Sequence, residues 1–241
     1  MKKPLILVAA SGLAREVMVA VKTGSAYDIA GVVDDNVAIH GTLIDGVPIL
    51  GGIEVALDHP GADLVVCAGS GRSRERVVGR LADMGVENER FGAVIDSSAV
   101  VPGNCLIGAG TVLLARVVLT ADVTVGEHVV VMPGVVMTHD DMVGDFATLC
   151  AGVVLGGDVH VGARAFLGMN SSVRQNVRVG RDSTLGMGSA LVCDLPETQT
   201  WAGVPARPLK ARYGAPREAA NGREERADRP SADRLIERTR T

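Results

Sequence analysis

The chain has 241 residues, of which 47% are hydrophobic but only 2% aromatic, and its formal net charge is −4. This length can bury a sizeable core in one or two domains, and the charge gives no basic face of the kind that nucleic-acid binding requires. No segment approaches the roughly 18 apolar residues of a membrane span, and the apolar run before Ser11 is too short for a signal peptide.

The four cysteines are scattered along the chain, without metal-like pairs. This usage is typical of a reducing compartment rather than of a disulfide framework. We therefore expect a cytoplasmic protein that neither inserts into a membrane nor binds nucleic acid.

The first ninety residues alternate between apolar strand patterns and helix patterns. "PLILVAA" predicts a strand and "SGLAREVMVAVKTG" a turn opening a helix, and "DIAGVVDDN" predicts a second strand ending in acids. "ADLVVCAGSGRSRERVVGRLADMG" repeats the strand, the glycine-rich turn and the helix. Such alternation predicts an α/β N-terminal domain over residues 1–90, with a small Rossmann-like parallel sheet.

Ligands of parallel α/β sheets bind where the strands end, next to helix N-termini that attract phosphate. The residues at these strand ends are Ser11 and Gly12 after the first strand, Asp34 and Asp35 after the second, and Gly69, Ser70 and Gly71 after the third. "AASGLA" does not supply the G-x-G-x-x-G fingerprint of dinucleotide sites. Nucleotide binding and an ordinary capped turn therefore both remain open from the motif alone.

An aliphatic residue or methionine recurs at every sixth position through the middle of the chain. These positions run in steps of six from Ile95 to Leu191, seventeen in all and without a slip. Glycine often follows the aliphatic residue, and a small or β-branched residue often comes four positions after it. Such a fixed period indicates a repeat architecture.

Each six-residue unit has two inward side chains and reads as one short strand and one corner, with glycine expected where the backbone turns. Three such strands close a triangular coil, and the coils stack by parallel pairing. The repeat thus predicts a parallel β-helix of hexapeptide repeats over residues 91–195. Its narrow bore explains the shortage of aromatic residues.

"THDDMVGDF", residues 138–146, interrupts this apolar repeat with His139, Asp140 and Asp141. His139 is the third residue of its hexad and is free to face a groove. A neutral imidazole oriented by a neighbouring carboxylate suits a general base near pH 7. Asp141 falls on an inward position, so it must be hydrogen-bonded, lie near solvent or distort the coil. We favour a distorted corner that helps to present His139.

The other histidines of the repeat, His128 and His160, fall outside the inward positions and are expected to be solvated wall residues. A trimeric prism could instead hold zinc between chains, as the γ-type carbonic anhydrases do. That arrangement would need histidines grouped by coil and face, and the spacing 128, 139, 160 puts no two of them one coil apart. We therefore expect no metal.

The C-terminal residues change character. Residues 196–213 are expected to cap the prism, and they contain most of the stretch "AGVPARPLKARYGAP". Residues 214–241 are charged and free of aromatic residues, a composition typical of a disordered tail.

The order of these motifs resembles the bacterial sugar acetyltransferases. "ASGLAREV", "VVDDN" and "AGSGRSR" precede a hexapeptide prism that bears "THDDMVGDF" and closes with "AGVPARPLK". The resemblance covers about residues 4–212. It is to the sialic acid O-acetyltransferase type and the UDP-4-amino-sugar N-acetyltransferase type.

The resemblance implies a homotrimer of left-handed β-helices, with acetyl-CoA in the groove between neighbouring prisms. It makes His139-Asp140 the catalytic pair and places the nucleotide part of the acceptor in the N-terminal domain. Residues matched to substrate binding are Ser11, Gly12, Leu13, Asp34, Asp35 and Gly69. Residues matched to acetyl-CoA binding are Thr148, Gly157, Met169 and Met187, with Gly157 as a backbone donor to the oxyanion.

Three positions depart from the family pattern. Ala9 replaces the first glycine of the N-terminal loop, Leu13 replaces a polar residue of some nucleotide-sugar binders, and Thr148 stands where the amino-sugar type has a second histidine. These changes bear on phosphate approach, on the acceptor and on the contact with acetyl-CoA.

The expected function is acetyl transfer from acetyl-CoA to the amine of a nucleotide-linked amino sugar, in surface-polysaccharide or glycan synthesis. O-acetylation of sialic acid or a related sugar is the alternative, and a non-catalytic nucleotide-sugar-binding scaffold is a third reading. An apolar wall at the sixth hexad position favours assembly, because exposed apolar patches usually mark interfaces. The wall consists of Val118, Val130, Val136 and Val154.

Overall fold

The computed structural model describes residues 2–24 and 26–209. The predicted tail, residues 214–241, and the end of the predicted cap, residues 210–213, lie outside the described residues. The described residues up to Pro208 pack as one compact unit. The proposed boundaries between residues 1–90, 91–195 and 196–213 therefore stay predictions.

The N-terminal part is a five-stranded sheet in the order β3-β4-β2-β1-β5. Its strands are β1 (Lys3–Val8), β2 (Tyr27–Val33), β3 (Leu43–Ile44), β4 (Val47–Gly51) and β5 (Asp63–Val66). Strand β1 pairs in parallel with β2 and β5, and β2 pairs in parallel with β4, whereas β3 pairs antiparallel with β4. The last four residues of β1 are all buried, as a central parallel strand covered on both faces requires.

Two α-helices follow β1 and β5, as the strand-helix alternation predicts. They are α1 (Gly12–Lys22) and α2 (Gly71–Asp83), and each begins after a serine N-cap whose side chain accepts a backbone N–H. Short 3-10 helices cover Val37–Ile39, Ile53–Asp58 and Asn88–Arg90.

From Val94 onward the chain winds into a three-faced prism of strands of two or three residues. They are β6 (Val94–Ile95), β7 (Leu106–Ile107), β8 (Val112–Leu113), β9 (Val118–Leu119), β10 (Thr124–Val125), β11 (Val130–Val131), β12 (Val136–Met137), β13 (Met142–Val143) and β14 (Thr148–Leu149). The series continues with β15 (Val154–Leu155), β16 (His160–Val161), β17 (Phe166–Leu167), β18 (Ser172–Val173), β19 (Arg178–Val179), β20 (Thr184–Leu185), β21 (Ala190–Leu191), β22 (Thr200–Ala202) and β23 (Arg207–Pro208).

These strands form three sheets, which we call the first, second and third faces. The first face has the order β23-β22-β20-β17-β14-β11-β8-β6, the second β21-β18-β15-β12-β9, and the third β19-β16-β13-β10-β7. From β6 to β21 a residue pairs with the residue 18 positions later in the same face, as Thr124 pairs with Met142. At the end of the first face the spacing is 16, where Thr184 pairs with Thr200, and β23 pairs antiparallel with β22. One coil is therefore three hexads, and the predicted left-handed parallel β-helix is confirmed.

The prism is filled by aliphatic side chains from the two inward positions of each hexad. Its buried cluster runs from Leu113 to Ala206 and contains only Leu, Val, Ala and Met, with Trp201 packed partly against it at the end. The narrow bore thus accounts for the low aromatic content, as the composition indicates.

The glycines of the repeat serve a different purpose from the predicted one. The left-handed backbone lies one residue before the second inward position, where φ is between 52° and 72° at every sixth residue from Gly110 to Gly188, and most of these residues are not glycine. The glycine that follows the aliphatic residue instead permits close stacking. A Cβ on Gly144 would approach the backbone N of Ala163 in the next coil to 2.8 Å.

The first face is covered by the N-terminal part of the chain. Val112 and Val130 share a buried cluster with Leu13, Ala14 and Val17 from the start of α1. The prediction that Val130 belongs to an exposed wall is therefore wrong. The other three wall residues lie on the second face, where Val118 and Val136 are half-buried and Val154 is exposed.

Arg74, on α2, is buried in the contact between the helix and the prism. Its guanidinium donates to the carbonyl oxygens of Ala68 and Gly69 in the loop after β5. On the prism it donates to the carbonyl oxygens of His128, Phe146 and Ala147 and to the hydroxyl oxygen of Thr148, and all these distances are 2.7–3.1 Å. Burial lowers the pKa of Arg74 to about 10, so the side chain still carries its proton at neutral pH.

His128 lies in the same contact, and the prediction that it is solvated is wrong. Its ring is buried, stacked on Phe146 at a centroid distance of 5.1 Å and edge-to-face with Phe91 at 4.7 Å. Burial lowers the pKa of His128 to about 4. The residue is thus a neutral packing group between the N-terminal part and the prism.

Candidate active site

His139 and Asp140 form a hydrogen-bonded pair at the corner between β12 and β13, where the second face meets the third. The Nδ1 atom of His139 lies 2.8 Å from Oδ2 of Asp140, and the two side chains are 66% and 61% exposed. Asp140 adopts the left-handed conformation with φ of 63°, which turns the chain sharply after the histidine. The corner therefore presents an imidazole to solvent with a carboxylate at one of its nitrogens.

The surrounding carboxylates raise the pKa of His139 above its ordinary value. The hydrogen bond that His139 donates to Asp140 is the largest cause, and the charges of Asp140, Asp141 and Asp158 add to it. Since Asp140 occupies Nδ1, that nitrogen carries the hydrogen and Nε2 is left with a free lone pair in the neutral ring. Such a ring accepts a proton at Nε2, and its hydrogen bond to Asp140 fixes the direction in which Nε2 points.

Gly157 lies directly against the His139 ring. A Cβ built on Gly157 would overlap ring atoms Cε1 and Nε2 and would lie 3.0 Å from Nδ1. The neighbouring Asp158 donates its backbone N–H to the carbonyl oxygen of His139 at 2.9 Å. The next coil thus forms a floor that fits the imidazole because residue 157 has no side chain.

Replacing Gly157 by alanine is expected to lower kcat by about 10- to 100-fold, because the added methyl group pushes the imidazole out of place. The exposed ring can move aside, so we expect the melting temperature to change by less than about 2 °C. Steady-state kinetics and thermal unfolding of the purified variant measure the two effects. Gly103→Ala is the matched control, since nothing lies within 4 Å of its Cβ position. Full activity in Gly157→Ala would contradict the claim that Gly157 positions the His139 ring.

Asp141 has no solvent-exposed surface and is held by two backbone donors. The N–H of Thr138 donates to Oδ2 at 2.7 Å and the N–H of Val159 donates to Oδ1 at 2.9 Å. Burial raises the pKa of Asp141 to about 6. Asp141 is therefore buried and hydrogen-bonded, and its bond to Thr138 changes the backbone hydrogen bonding of this corner.

Residues predicted to bind acetyl-CoA lie on other parts of the prism from His139, apart from Gly157. Met169 and Met187 occupy the corner between the first and second faces, one coil apart, and are 50% and 72% exposed. Their backbones are stacked, with Gly188 donating to the carbonyl oxygen of Met169. Within one chain, therefore, the methionine corner and the histidine corner are separate.

Thr148 is buried on the first face, with only 6% of its surface exposed. Its Oγ1 accepts a hydrogen bond from Nη2 of Arg74 at 3.0 Å. The structure does not bring Thr148 to His139, and its contact with acetyl-CoA stays a prediction.

The predicted substrate residues gather at the carboxyl ends of β1, β2 and β5. Ser11 caps α1 and its Oγ donates to the carbonyl oxygen of Cys67 at 2.6 Å. Asp34 accepts N–H groups from Ala10 at 2.7 Å and Asn36 at 2.8 Å. These side chains tie the three strand-end loops together.

The remaining predicted substrate residues differ in access. Gly12 and Gly69 face open space, whereas Leu13 is buried in the core. Asp35 pairs with Arg80 at 2.5 Å, and that hydrogen bond lowers the pKa of the carboxyl group. The open glycines are thus the points at which a ligand can approach the backbone.

Ala9 has φ of 84°, a conformation that favours glycine. Its N–H donates to the carbonyl oxygen of Val33 at 2.8 Å. The loop therefore keeps the backbone of a glycine turn although the residue has a side chain.

A shallow groove of about 510 Å³ runs along the third face and onto the corner that follows its strands, away from the histidine corner. Its lining includes Met142, Asp145, His160, Arg178 and Arg181. His160 is half-buried and its Nε2 lies 3.2 Å from Oδ1 of Asp158. The groove is therefore mixed in polarity, with two arginines on one apolar face.

Arg74 organises the contact between α2 and the prism but was not among the residues predicted from the sequence. The signal was available, since Arg74 stands on the same stripe of α2 as Val77, Val78 and Leu81. A cation on the apolar stripe of a helix is costly unless it is hydrogen-bonded.

Within residues 2–24 and 26–209, no three His, Cys, Asp or Glu side chains are grouped so that they could hold a metal ion. In the same residues, neither α-helix has the length and apolarity that a membrane crossing demands.

Comparison with known proteins gives structural relatives. No family model and no curated protein matches the sequence. PerB from Caulobacter crescentus, solved with CoA and GDP-perosamine, is 30% identical, with a TM-score of 0.77 over 86% of this chain and 97% of that one. The acetyltransferase domain of PglB from Neisseria gonorrhoeae, in complex with acetyl coenzyme A, is 26% identical, with a TM-score of 0.78 over 87% of this chain and 100% of that one.

WeeI from Acinetobacter baumannii is 25% identical, with a TM-score of 0.74 over 85% of this chain and 99% of that one. These likenesses span both the N-terminal sheet and the prism, and the identity to PerB extends over nearly all of that chain. The chain belongs to the left-handed β-helix, hexapeptide-repeat family of sugar acetyltransferases.

Proposed function

We propose that this enzyme transfers the acetyl group of acetyl-CoA to the amine of a nucleotide-linked amino sugar, with His139 as general base and Asp140 as its orienter. The observation that carries the proposal is the exposed His139–Asp140 pair, set on a glycine floor in a chain 30% identical to a protein solved with CoA and GDP-perosamine. An imidazole with a free Nε2 is the group that amine acylation needs.

The chemistry follows from the pair. As the acceptor amine attacks the thioester carbonyl, Nε2 of His139 accepts the amine proton, and the hydrogen bond from Nδ1–H to the Asp140 carboxylate stabilises the imidazolium that forms. Collapse of the tetrahedral intermediate breaks the C–S bond. The proton held by His139 then passes to the departing thiolate, so the products are an amide and CoA.

The oxyanion of the intermediate needs a donor that is in place before the reaction. We propose the backbone N–H of Gly157 for this role. Support comes from the contact between this glycine and the His139 ring, which puts donor and base within one small region.

We propose further that the nucleotide of the acceptor lies at the carboxyl ends of β1, β2 and β5. Open space at Gly12 and Gly69, and the N-terminus of α1 beside Ser11, suit a diphosphate that approaches the backbone. The polar side chains Ser11 and Asp34 already hold the loops in shape.

An acceptor panel tests the proposed function. Release of the CoA thiol is followed with nucleotide-linked amino sugars, the same amino sugars without the nucleotide, and sialic acids. We expect turnover with a nucleotide-linked amino sugar and at least tenfold lower kcat/KM without the nucleotide. Turnover of sialic acids alone would replace the proposal with O-acetylation, and acceptor binding without any thiol release would indicate a scaffold.

A trimer of this chain, with each active site between neighbouring prisms, is the assembly that we propose. His139 and the two exposed methionines lie on different corners of one prism, and the N-terminal part covers the face opposite the histidine corner. Exposed Val154 on the second face adds an apolar surface beside both corners. A threefold arrangement brings the histidine corner of one chain to the methionine corner of the next.

Mixing two inactive variants tests the shared site. His139→Ala removes the base, and Met187→Trp blocks the methionine corner that the neighbour would use. We expect co-refolded equal mixtures to regain about one quarter of wild-type activity, the statistical share of sites with both intact halves. Each variant co-refolded with itself is the control. A stable, active monomer in sedimentation would contradict the assembly.

A further inference from the structure

Asp141 is a carboxylate at an inward position that the coils on either side fill with valine. One coil earlier and one coil later at the same corner, Val123 and Val159 occupy this inward position, and both are fully buried. Asp141 is equally buried, yet its two oxygens accept two backbone N–H groups. A buried charge in an apolar stack is costly and calls for a specific reason.

The carboxylate changes one rung of the hydrogen-bond ladder. In a regular coil the Thr138 N–H would donate to the carbonyl oxygen of Leu155 in the next coil. Here it donates to Asp141 Oδ2 instead. The Thr138 hydroxyl donates to the Leu155 carbonyl oxygen in its place, at 3.1 Å. Accordingly, β12 and β15 share one paired position, Val136 with Val154. The three equivalent rungs at this corner are ordinary: Thr120 N to Met137 O, Gly156 N to Val173 O and Arg174 N to Leu191 O.

The altered hydrogen bonds define the turn that carries His139. The bond from Thr138 N–H to Asp141 closes residues 138–141 into a turn with His139 and Asp140 at its tip. The second bond, from Val159 N–H to Oδ1, fastens the same carboxylate to the coil that carries Gly157. One side chain therefore holds both the turn that bears the imidazole and the floor on which the imidazole rests.

We propose that Asp141 is a positioning residue for His139, which sets the turn of residues 138–141 against the Gly157 floor by replacing one rung of the β-helix ladder. The proposal rests on the proposed role of His139 as the base. It implies that this corner departs from the regular, apolar pattern of the repeat because a functional side chain must be held there. Departures from local rules are often found at functional sites.

Asp141 also acts on His139 through its charge. The charged groups that face the imidazole are Asp140 in the same turn, Asp141 beneath it and Asp158 from the next coil, and all three raise the pKa of His139. The groups that face Asp141 are His139, which lowers its pKa, and Asp158, which raises it, while burial has the largest effect. Removal of the Asp141 charge should therefore lower the pKa of His139.

Asp141→Val is the decisive variant, because it restores the side chain of the neighbouring coils and allows the ordinary rung to form. We expect the melting temperature to stay at or above that of the wild type, since a buried carboxylate is removed and a valine fits this position. We expect kcat to fall by about 10- to 100-fold with little change in KM for acetyl-CoA, because the imidazole is misplaced. NMR titration of the His139 ring should show a lower pKa.

Thr138 supplies a second test that keeps the carboxylate. Thr138→Val removes the hydroxyl that satisfies Leu155 and is expected to lower kcat, whereas Thr138→Ser keeps the hydroxyl and should restore turnover to within about twofold of the wild type. Thr120→Val, one coil earlier at a corner with an ordinary rung, is the control and should leave turnover unchanged.

The outcomes separate this inference from the proposed function. If His139→Ala loses turnover but Asp141→Val keeps both wild-type kcat and the wild-type His139 pKa, the positioning role is wrong and the base assignment stands. If His139→Ala keeps turnover, the base assignment fails, and the NMR titration still decides whether Asp141 governs the imidazole. A loss of folding and activity together in Asp141→Val would show a merely structural role.

Discussion

Replacing His139 by alanine is expected to lower kcat by about 10²–10⁴-fold, the usual contribution of a general base. The residue is exposed at a corner, so the fold should be unaffected. Initial rates of CoA release at saturating acetyl-CoA and acceptor measure the effect. His160→Ala is the matched control, because this histidine also lies beside an aspartate, Asp158, one coil away. An equal loss in both variants would contradict the assignment of the base.

The pH dependence follows from the same pair. The hydrogen bond to Asp140 raises the pKa of His139, and only the neutral ring accepts a proton. Turnover should therefore fall as the pH drops through this raised pKa. In Asp140→Asn the largest cause of the shift is gone, so the acid limb of the rate profile should move to lower pH while the maximum rate also decreases.

Replacing Arg74 by methionine is expected to destabilise the protein by about 3–5 kcal/mol, because buried carbonyl groups of both the loop after β5 and the prism lose their donor. That is a large share of the stability of an ordinary domain. We expect the melting temperature to fall by about 10 °C in thermal unfolding. The N-terminal part should also become accessible to protease before the prism does.

Arg76→Met is the control for this variant. Arg76 lies two residues further along α2 and is exposed, so its loss should change stability by less than about 0.5 kcal/mol. Equal stability of the Arg74 and Arg76 variants would show that the buried guanidinium is not what joins the two parts.

Much of the fold could be predicted because the prism obeys a local rule. Each hexad contributes its own strand and corner, and pairing at a spacing of 18 residues follows from the period alone. The reason for the glycines was not predictable in the same way. Whether Gly144 turns the chain or makes room for Ala163 depends on the distance between coils, which a single hexad does not contain.

The site was predictable only where it breaks the repeat. His139 and Asp140 are polar residues within an apolar repeat, and because they are adjacent in sequence, contact between their side chains could be expected. The environments of His128, Val130 and Thr148 depend on how the N-terminal part packs on the first face. Periodicity assigns them to the outside of the coil, and a contact distant in sequence buries them.

The arrangement of Asp141 lies between these cases. The sequence shows a carboxylate at an inward position, and burial demands partners for it. Which partners it takes depends on competition between its oxygens and the carbonyl of Leu155 for the same N–H of Thr138. Such competition is decided by geometry that the period does not specify.

The most direct measurement identifies the product that forms from acetyl-CoA and a nucleotide-linked amino sugar. Mass spectrometry with and without hydroxylamine treatment distinguishes an amide from an ester. We expect the nucleotide sugar to gain one acetyl group that resists hydroxylamine, and His139→Ala to form little of this product. A hydroxylamine-sensitive ester, or wild-type amounts of product from the His139 variant, would contradict N-acetylation with His139 as the base.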